Sequence, residues 1–179
     1  LRAAGFAPLL VDGNLPGDAV AQVVGHLQGG RGRGLLATTC MPGPQLLQGY
    51  EVAKAVRERC PGVKTVWGGY FPSMHTEVVL KSSVVDFVIR GRGELAIVAL
   101  AEALALGGDG RDAPGASVLA GPAIRHNPAP PLPHPDDTPQ FDYTGVPVWP
   151  YLNRTYLGRR TIGHNTSFGC AWACNFCAV

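Results

Sequence analysis

Apolar residues in this chain fall into short runs that alternate with stretches of helical spacing. Leu9-Leu10-Val11, closed by Asp12-Gly13, predicts a buried strand and a turn. Pro16 suits the first turn of a helix whose apolar face is Val20, Val23, Val24 and Leu27, and Gly29-Gly30 ends it. Residues 35–39 predict the next strand, which closes into the loop Cys40-Met41-Pro42-Gly43. A second helix is predicted from Pro44, with Leu46, Leu47, Tyr50, Ala53 and Val56 on one face. Arg57 and Arg59 in its last turn suit the helix dipole, and Pro61-Gly62 stops it. The unit then repeats: a strand at 63–67, the turn Gly68-Gly69 and a short helix at 76–81. A strand at 85–89, the turn Gly91-Arg92-Gly93-Glu94 and a helix over 94–106 follow. Strands alternating with helices across short loops predict right-handed crossovers and a parallel sheet, a doubly wound α/β domain. The strands lack polar alternation, which fits a sheet covered on both faces.

Past Leu106 the alternation stops. Ser117-Val118-Leu119 and Ala123-Ile124-Arg125, separated by Ala120-Gly121-Pro122, predict a small hairpin. Glycine and proline make up 22% of the 179 residues, but 13 of the 40 lie in residues 107–139, with half of all the prolines. The excess is therefore local, and residues 128–139 read as a semi-rigid, polyproline-like spacer. From Phe141 the chain becomes aromatic again, and residues 161–168 predict one strand leading into Gly169. The expected organisation is an α/β domain over residues 1–125, a linker over 126–150 and the start of another domain over 151–179.

Composition narrows the classes. Apolar residues are 46% and charged residues 16% of the chain, which excludes charge-driven disorder. A net charge of +2 gives no reason to expect a nucleic-acid or anionic-membrane partner. The longest nearly apolar stretch, residues 95–106, has Glu102 inside it and is too short for a membrane span, which needs about 20 residues. The chain opens on Leu1 in what reads as mid-helix and stops just past a cysteine cluster, so it reads as a piece of a larger protein. The sheet's first strand is expected ahead of Leu1, and a parallel sheet lacking it would expose an unpaired edge, predicting poor stability for this chain alone.

That cluster is Cys170-Ala171-Trp172-Ala173-Cys174-Asn175-Phe176-Cys177. Given Cys170, further cysteines at both +4 and +7 arise by chance about once in a thousand at this cysteine frequency. Three thiolates on one short loop can hold one face of a cubane iron–sulfur cluster and leave the fourth iron for an outside ligand. The competing reading is a structural zinc site that recruits His164 as a fourth ligand, since zinc favours four closed ligands. Five cysteines is an odd count and nothing marks secretion, which argues against a disulfide framework. Cys40 and Cys60 read as structural, with Cys40 in a loop that a ligand could reach.

Cys170, Cys174 and Cys177, with the aromatic Phe176 before the third, resemble the CxxxCx(aromatic)C signature of radical S-adenosylmethionine (radical SAM) enzymes. The resemblance implies a [4Fe-4S] cluster held by these three cysteines. The open iron would bind S-adenosylmethionine, whose reductive cleavage gives a 5′-deoxyadenosyl radical, with Phe176 near the adenine. An α/β domain directly before such a loop resembles the cobalamin-dependent members, whose N-terminal half is a Rossmann-like cobalamin-binding domain. Residues 66–73, carrying Gly68-Gly69-Tyr70, and residues 85–94, carrying Gly91, Gly93 and Glu94, are similar to that family's glycine-pair and GxGE blocks.

In open α/β sheets ligands sit beyond the carboxyl ends of the strands. Thr38, Thr39, Gly43, Gly68, Gly69, Tyr70, Gly91, Gly93 and Glu94 fall there and are the expected cobalamin contacts. Glycines admit a flat corrin or its nucleotide tail close to the backbone, and the threonines offer hydroxyls. The plain reading of the same residues is ordinary turn chemistry, with Glu94 simply opening a helix. The DxHxxG motif that supplies an axial histidine in many cobalamin proteins is absent: His26, His75, His126, His134 and His164 lie in other contexts.

The resemblance implies a cobalamin-dependent radical SAM enzyme, with methyl transfer to an unactivated carbon ahead of ring formation or rearrangement. A non-catalytic corrinoid-binding module and a zinc-stabilised α/β interaction protein are the alternatives. The implied partners are an unknown small-molecule or peptide substrate and an electron donor such as a flavodoxin or ferredoxin, in a reducing, cytoplasmic setting. Trp149, Tyr151 and Tyr156 read as packing residues at a domain junction, and Arg154, Arg159 and Arg160 as a solvated basic patch.

Overall fold

The computed structural model describes residues 1–30, 34–131, 134, 145–163, 170–172 and 174–175. The chain divides into two compact units, Leu1–Pro139 and Gln140–Val179.

The first unit is a Rossmann-like α/β fold around one five-stranded, mixed sheet. In chain order its elements are α1 (Ala19–Gly29), β1 (Gly34–Thr39), α2 (Pro44–Arg59), β2 (Val63–Gly68), α3 (Tyr70–Met74), α4 (Thr76–Leu80) and β3 (Phe87–Ile89). They are followed by α5 (Glu94–Ala105), β4 (Ala116–Ala120) and β5 (Ala123–His126). The strands lie in sequence order. β1 pairs parallel with β2 from Gly34↔Val63 to Thr39↔Gly68, and β2 pairs parallel with β3 at Val66↔Phe87 and Trp67↔Val88. β3–β4 and β4–β5 are antiparallel, so the hairpin expected past Leu106 joins the main sheet as its far edge.

Alternation along the strands builds two cores. Trp67 and Val88 point to one face, where Ala53 of α2 and Val79 and Leu80 of α4 cover them. Val66, Phe87 and Ile89 point to the other, against Ala96 and Leu100 of α5 and Val118 of β4. A third cluster seats α1 on α2, with Val24 and Leu27 against Val56, Cys60 and Val63. This two-sided burial is why the central strands carry apolar residues at successive positions.

The antiparallel β4 has a local cause. After α5 the chain climbs back along the helix instead of crossing to a new parallel strand. A Cβ on Gly108 would lie 2.9 Å from Ala103 O, one on Gly110 2.7 Å from Leu100 Cδ1, and one on Gly115 2.7 Å from Ala96 Cβ. Only glycine fits this path, and Gly110 and Gly115 also take positive φ of 74° and 78°. The loop is tied to the hairpin by Asn127 Nδ2, which donates to Arg111 O at 2.8 Å and Ala113 O at 2.9 Å.

Three expectations are corrected. Leu9-Leu10-Val11 forms no strand; Leu9 and Leu10 are 51% and 56% exposed. A strand needs a partner for its backbone groups, and β1 pairs only with β2 among the described residues. Pro16 precedes helix α1 rather than opening it: Asp18 is the N-cap, its carboxylate accepting the Ala21 N–H at 2.9 Å. Cys40, placed by its loop within reach of a ligand, is 1% exposed.

In the second unit, β6 (Asn153–Thr155) and β7 (Gly158–Thr161) form an antiparallel hairpin, pinned by Thr161 Oγ1 donating to Asn153 O at 2.8 Å. Thr161 thus closes a hairpin strand, and the rest of the strand expected over 161–168 falls largely outside the described residues. No helix among the described residues is long and apolar enough to cross a membrane.

Candidate functional site

The parallel register brings the ends of β1, β2 and β3 to one edge of the sheet, and the loops that follow are stitched together there. Cys40 N–H donates to Gly68 O at 3.2 Å, and Phe71 N–H donates to Cys40 O at 3.3 Å. Ser73 joins the second and third loops. Its hydroxyl donates to Gly69 O at 2.7 Å and accepts the Gly91 N–H at 3.0 Å. A further loop arrives from the chain's beginning, where Gln45 Nε2 donates to Asn14 Oδ1 at 3.2 Å and Gln45 Oε1 accepts the Met41 N–H at 3.2 Å.

The expected cobalamin contacts divide at this edge. Thr39, Gly68, Gly69 and Gly91 come together. A Cβ on Gly69 would stand 2.5 Å from Thr39 Oγ1 and one on Gly68 3.6 Å from Ile89 O; Gly69 also takes a φ of 90°. Thr38 parts from Thr39: its methyl lies 3.5 Å from where a Cβ on Gly49 would stand, facing helix α2. Gly43 caps α2 with a φ of 110°, and Tyr70 opens α3 with its side chain partly exposed. Gly93 caps α5, and Glu94 is that helix's first residue, its carboxylate 3.3 Å from the Arg92 guanidinium. A half-exposed pair of this kind contributes little to stability.

Whether a flat ligand fits is tested by the glycines. Nothing lies within 4 Å of a Cβ built on Gly43 or Gly91, so both present bare backbone to open space. The edge therefore suits a group that must approach the main chain closely. Cys40 is not a ligand to such a group. Its thiol is buried beneath Gly49, whose Cβ would meet Sγ at 2.9 Å, and burial pushes its pKa up to about 11. A neutral, enclosed thiol neither attacks nor binds metal. His75 is exposed between α3 and α4, its ring 4.6 Å from that of Phe71.

In the second unit Cys170 and Cys174 are exposed, unbridged thiols. That donor chemistry fits an iron–sulfur cluster or zinc equally. Cys177, Phe176 and His164 lie outside the described residues, and no cluster of three metal-ligating side chains occurs among the described ones. Trp149, Tyr156 and Trp172 are 74%, 95% and 78% exposed, and the Arg160 guanidinium sits 5.7 Å from the Trp149 ring centre. Arg154, Arg159 and Arg160 are all exposed.

Ser73, Gln45 and Asn14 hold the loops together, yet sequence reasoning did not single them out. A lone Ser four residues past a glycine pair, at helix i→i+4 spacing to Gly69 O, was the only available signal.

No family model matches the chain. It is similar to the anaerobic magnesium-protoporphyrin IX monomethyl ester cyclase of Synechocystis sp., with 28% identity over 123 residues. The match covers 68% of this chain and 24% of that enzyme, so the chain spans about a quarter of its relative's length.

Proposed function

We propose that this chain is part of a radical SAM enzyme, with a corrinoid at the glycine-lined edge of the sheet and a [4Fe-4S] cluster on Cys170, Cys174 and Cys177. The observation that carries the corrinoid half is the joining of the loops after β1, β2 and β3 into one surface of exposed backbone. The distant similarity to the cyclase, a radical SAM enzyme, supports the cluster half. Thr39, Gly43, Gly68, Gly69, Tyr70, Gly91 and Gly93 would line the corrinoid, Thr38 supporting Thr39 from beneath and Glu94 fixing Arg92. Phe176 would pack near the adenine of S-adenosylmethionine. When bound, these groups supply a 5′-deoxyadenosyl radical for hydrogen abstraction and a cobalt-borne methyl group. The chain's own work is positioning: close backbone approach at the glycines and thiolate donors at the cysteines. An electron-donor protein such as a flavodoxin or ferredoxin, a small-molecule or peptide substrate and a cytoplasmic setting belong to the same reading.

Methyl transfer to carbon is the first reaction we assign. Ring formation is the second, favoured because the relative is a cyclase.

Anaerobic reconstitution with iron and sulfide tests the cluster. The expected result is a cubane electron paramagnetic resonance signal that changes on adding S-adenosylmethionine and disappears in C170A, C174A or C177A. About one tightly held zinc and no cluster would overturn it. Visible-absorbance titration with hydroxocobalamin tests the corrinoid half on its own.

A further inference from the structure

The loops at the sheet edge are held by backbone bonds at one seam, and the Ser73 side chain bridges the other. β1's loop is fixed to β2's by Cys40 N–H to Gly68 O and Phe71 N–H to Cys40 O, both main-chain bonds. Between β2's loop and β3's, Ser73 makes the bridge: its hydroxyl donates to Gly69 O and accepts the Gly91 N–H. Gly91 takes a φ of 64° with open space on its Cβ side, so neither conformation nor packing against its missing side chain fixes it. Ser73 itself is well placed. Its N–H donates to Gly69 O at 3.2 Å, and the next turn is secured by Thr76 Oγ1 donating to Pro72 O at 2.9 Å.

We infer that Ser73 is the positioning residue of this site. It holds the Gly91-Arg92-Gly93 turn against the Gly69 turn, so that both glycine faces meet the corrinoid at a fixed spacing. Ser73 does not touch the ligand; it acts through Gly91. The inference rests on the corrinoid reading for its ligand, but the latch itself is a property of the protein alone.

The experiment uses the full chain as wild type, S73A and S73T. Three readouts are taken: hydrogen exchange of the Gly91 amide, hydroxocobalamin affinity by visible absorbance, and the thermal midpoint. In S73A the Gly91 amide should exchange at least about fivefold faster and hydroxocobalamin should bind about fivefold more weakly, the effect of losing one hydrogen bond. S73T keeps the hydroxyl and should restore both. A purely structural role would lower the midpoint of S73A and shift exchange throughout α3, rather than at the Gly91 turn. Unchanged Gly91 exchange in S73A overturns the latch. Faster exchange with wild-type affinity overturns its positioning role. Absence of hydroxocobalamin binding by the wild type overturns the corrinoid reading instead, and the Gly91 amide then decides the latch by itself.

Discussion

Cys40, read as structural but in a loop that a ligand could reach, is shut away in the fold. Its neighbours Met41, Pro42 and Gly43 mark a loop, but its own N–H and C=O are bound to Gly68 and Phe71, which draws the thiol under helix α2. Burial raises its pKa from 9.0 to about 11. An acid whose folded pKa lies above its unfolded value contributes stability in its protonated state. That contribution is full below pH 9 and is lost as pH rises from 9 toward 11. A rise from 9.0 to about 11 corresponds to on the order of 2–3 kcal/mol. Denaturant unfolding of wild type and C40A between pH 7 and 11 checks this: the wild type should lose stability above pH 9 more steeply than C40A. Parallel loss in both would show that another group is responsible. Residue-scale chemistry of this kind was not legible in the sequence, because nothing local to Cys40 reports that Gly49, nine residues away, leaves space for its sulfur.

The elements were legible to the extent that their signals are local. Helix α2 follows from Pro44, its apolar spacing and Pro61, all within one stretch, and the structure ends it at Arg59. The glycine turns after β2 and β3 were readable for the same reason. Helix α3 was missed, since Pro72 lies inside it, at the third of its five residues, and its role depends on contacts with two other loops. Strand β2 carries a conflict that sequence could not reveal. Thr65 is 1% exposed and its hydroxyl has no hydrogen-bond partner, although its N–H donates to Asp86 Oδ2 at 2.8 Å. Replacing the hydroxyl with a methyl of similar size removes a buried, unsatisfied polar group. Thr65→Val should therefore raise stability by about 1 kcal/mol in chemical denaturation. A loss of 1 kcal/mol or more would mean that the hydroxyl has a partner in solution.

At the scale of the whole molecule, the Leu9-Leu10-Val11 segment and strand β1 belong together. The sequence predicts two strands there, and the structure forms one, whose outer edge pairs with no strand among the described residues. Ala37 and Thr39 are exposed on β1, while Leu35 and Leu36 are half-buried. An open parallel edge of this kind favours pairing with other chains. The protein should self-associate as concentration rises, and Ala37→Lys should reduce this by placing a charge on the edge. Sedimentation velocity on both proteins checks it, and equal association would place the contact elsewhere. The α/β class was readable because it depends on alternation, whereas the order and polarity of the last two strands depend on a glycine path that no periodicity reports.

That glycine path has a consequence for chain routing. Three strands run toward the rim of glycine turns, and the climb over residues 107–115 brings the chain back to that rim before β4 begins, with Ala116 beside Ile89. β4 then runs away from the rim and β5 returns to it, where Gly115 N–H donates to Pro128 O at 2.8 Å. Had α5 led into another parallel strand, followed by a hairpin, the polypeptide would depart from the opposite side. Instead Pro128 is moored at the rim itself. Pro128 and the surface proposed for the corrinoid thus share one end of the sheet.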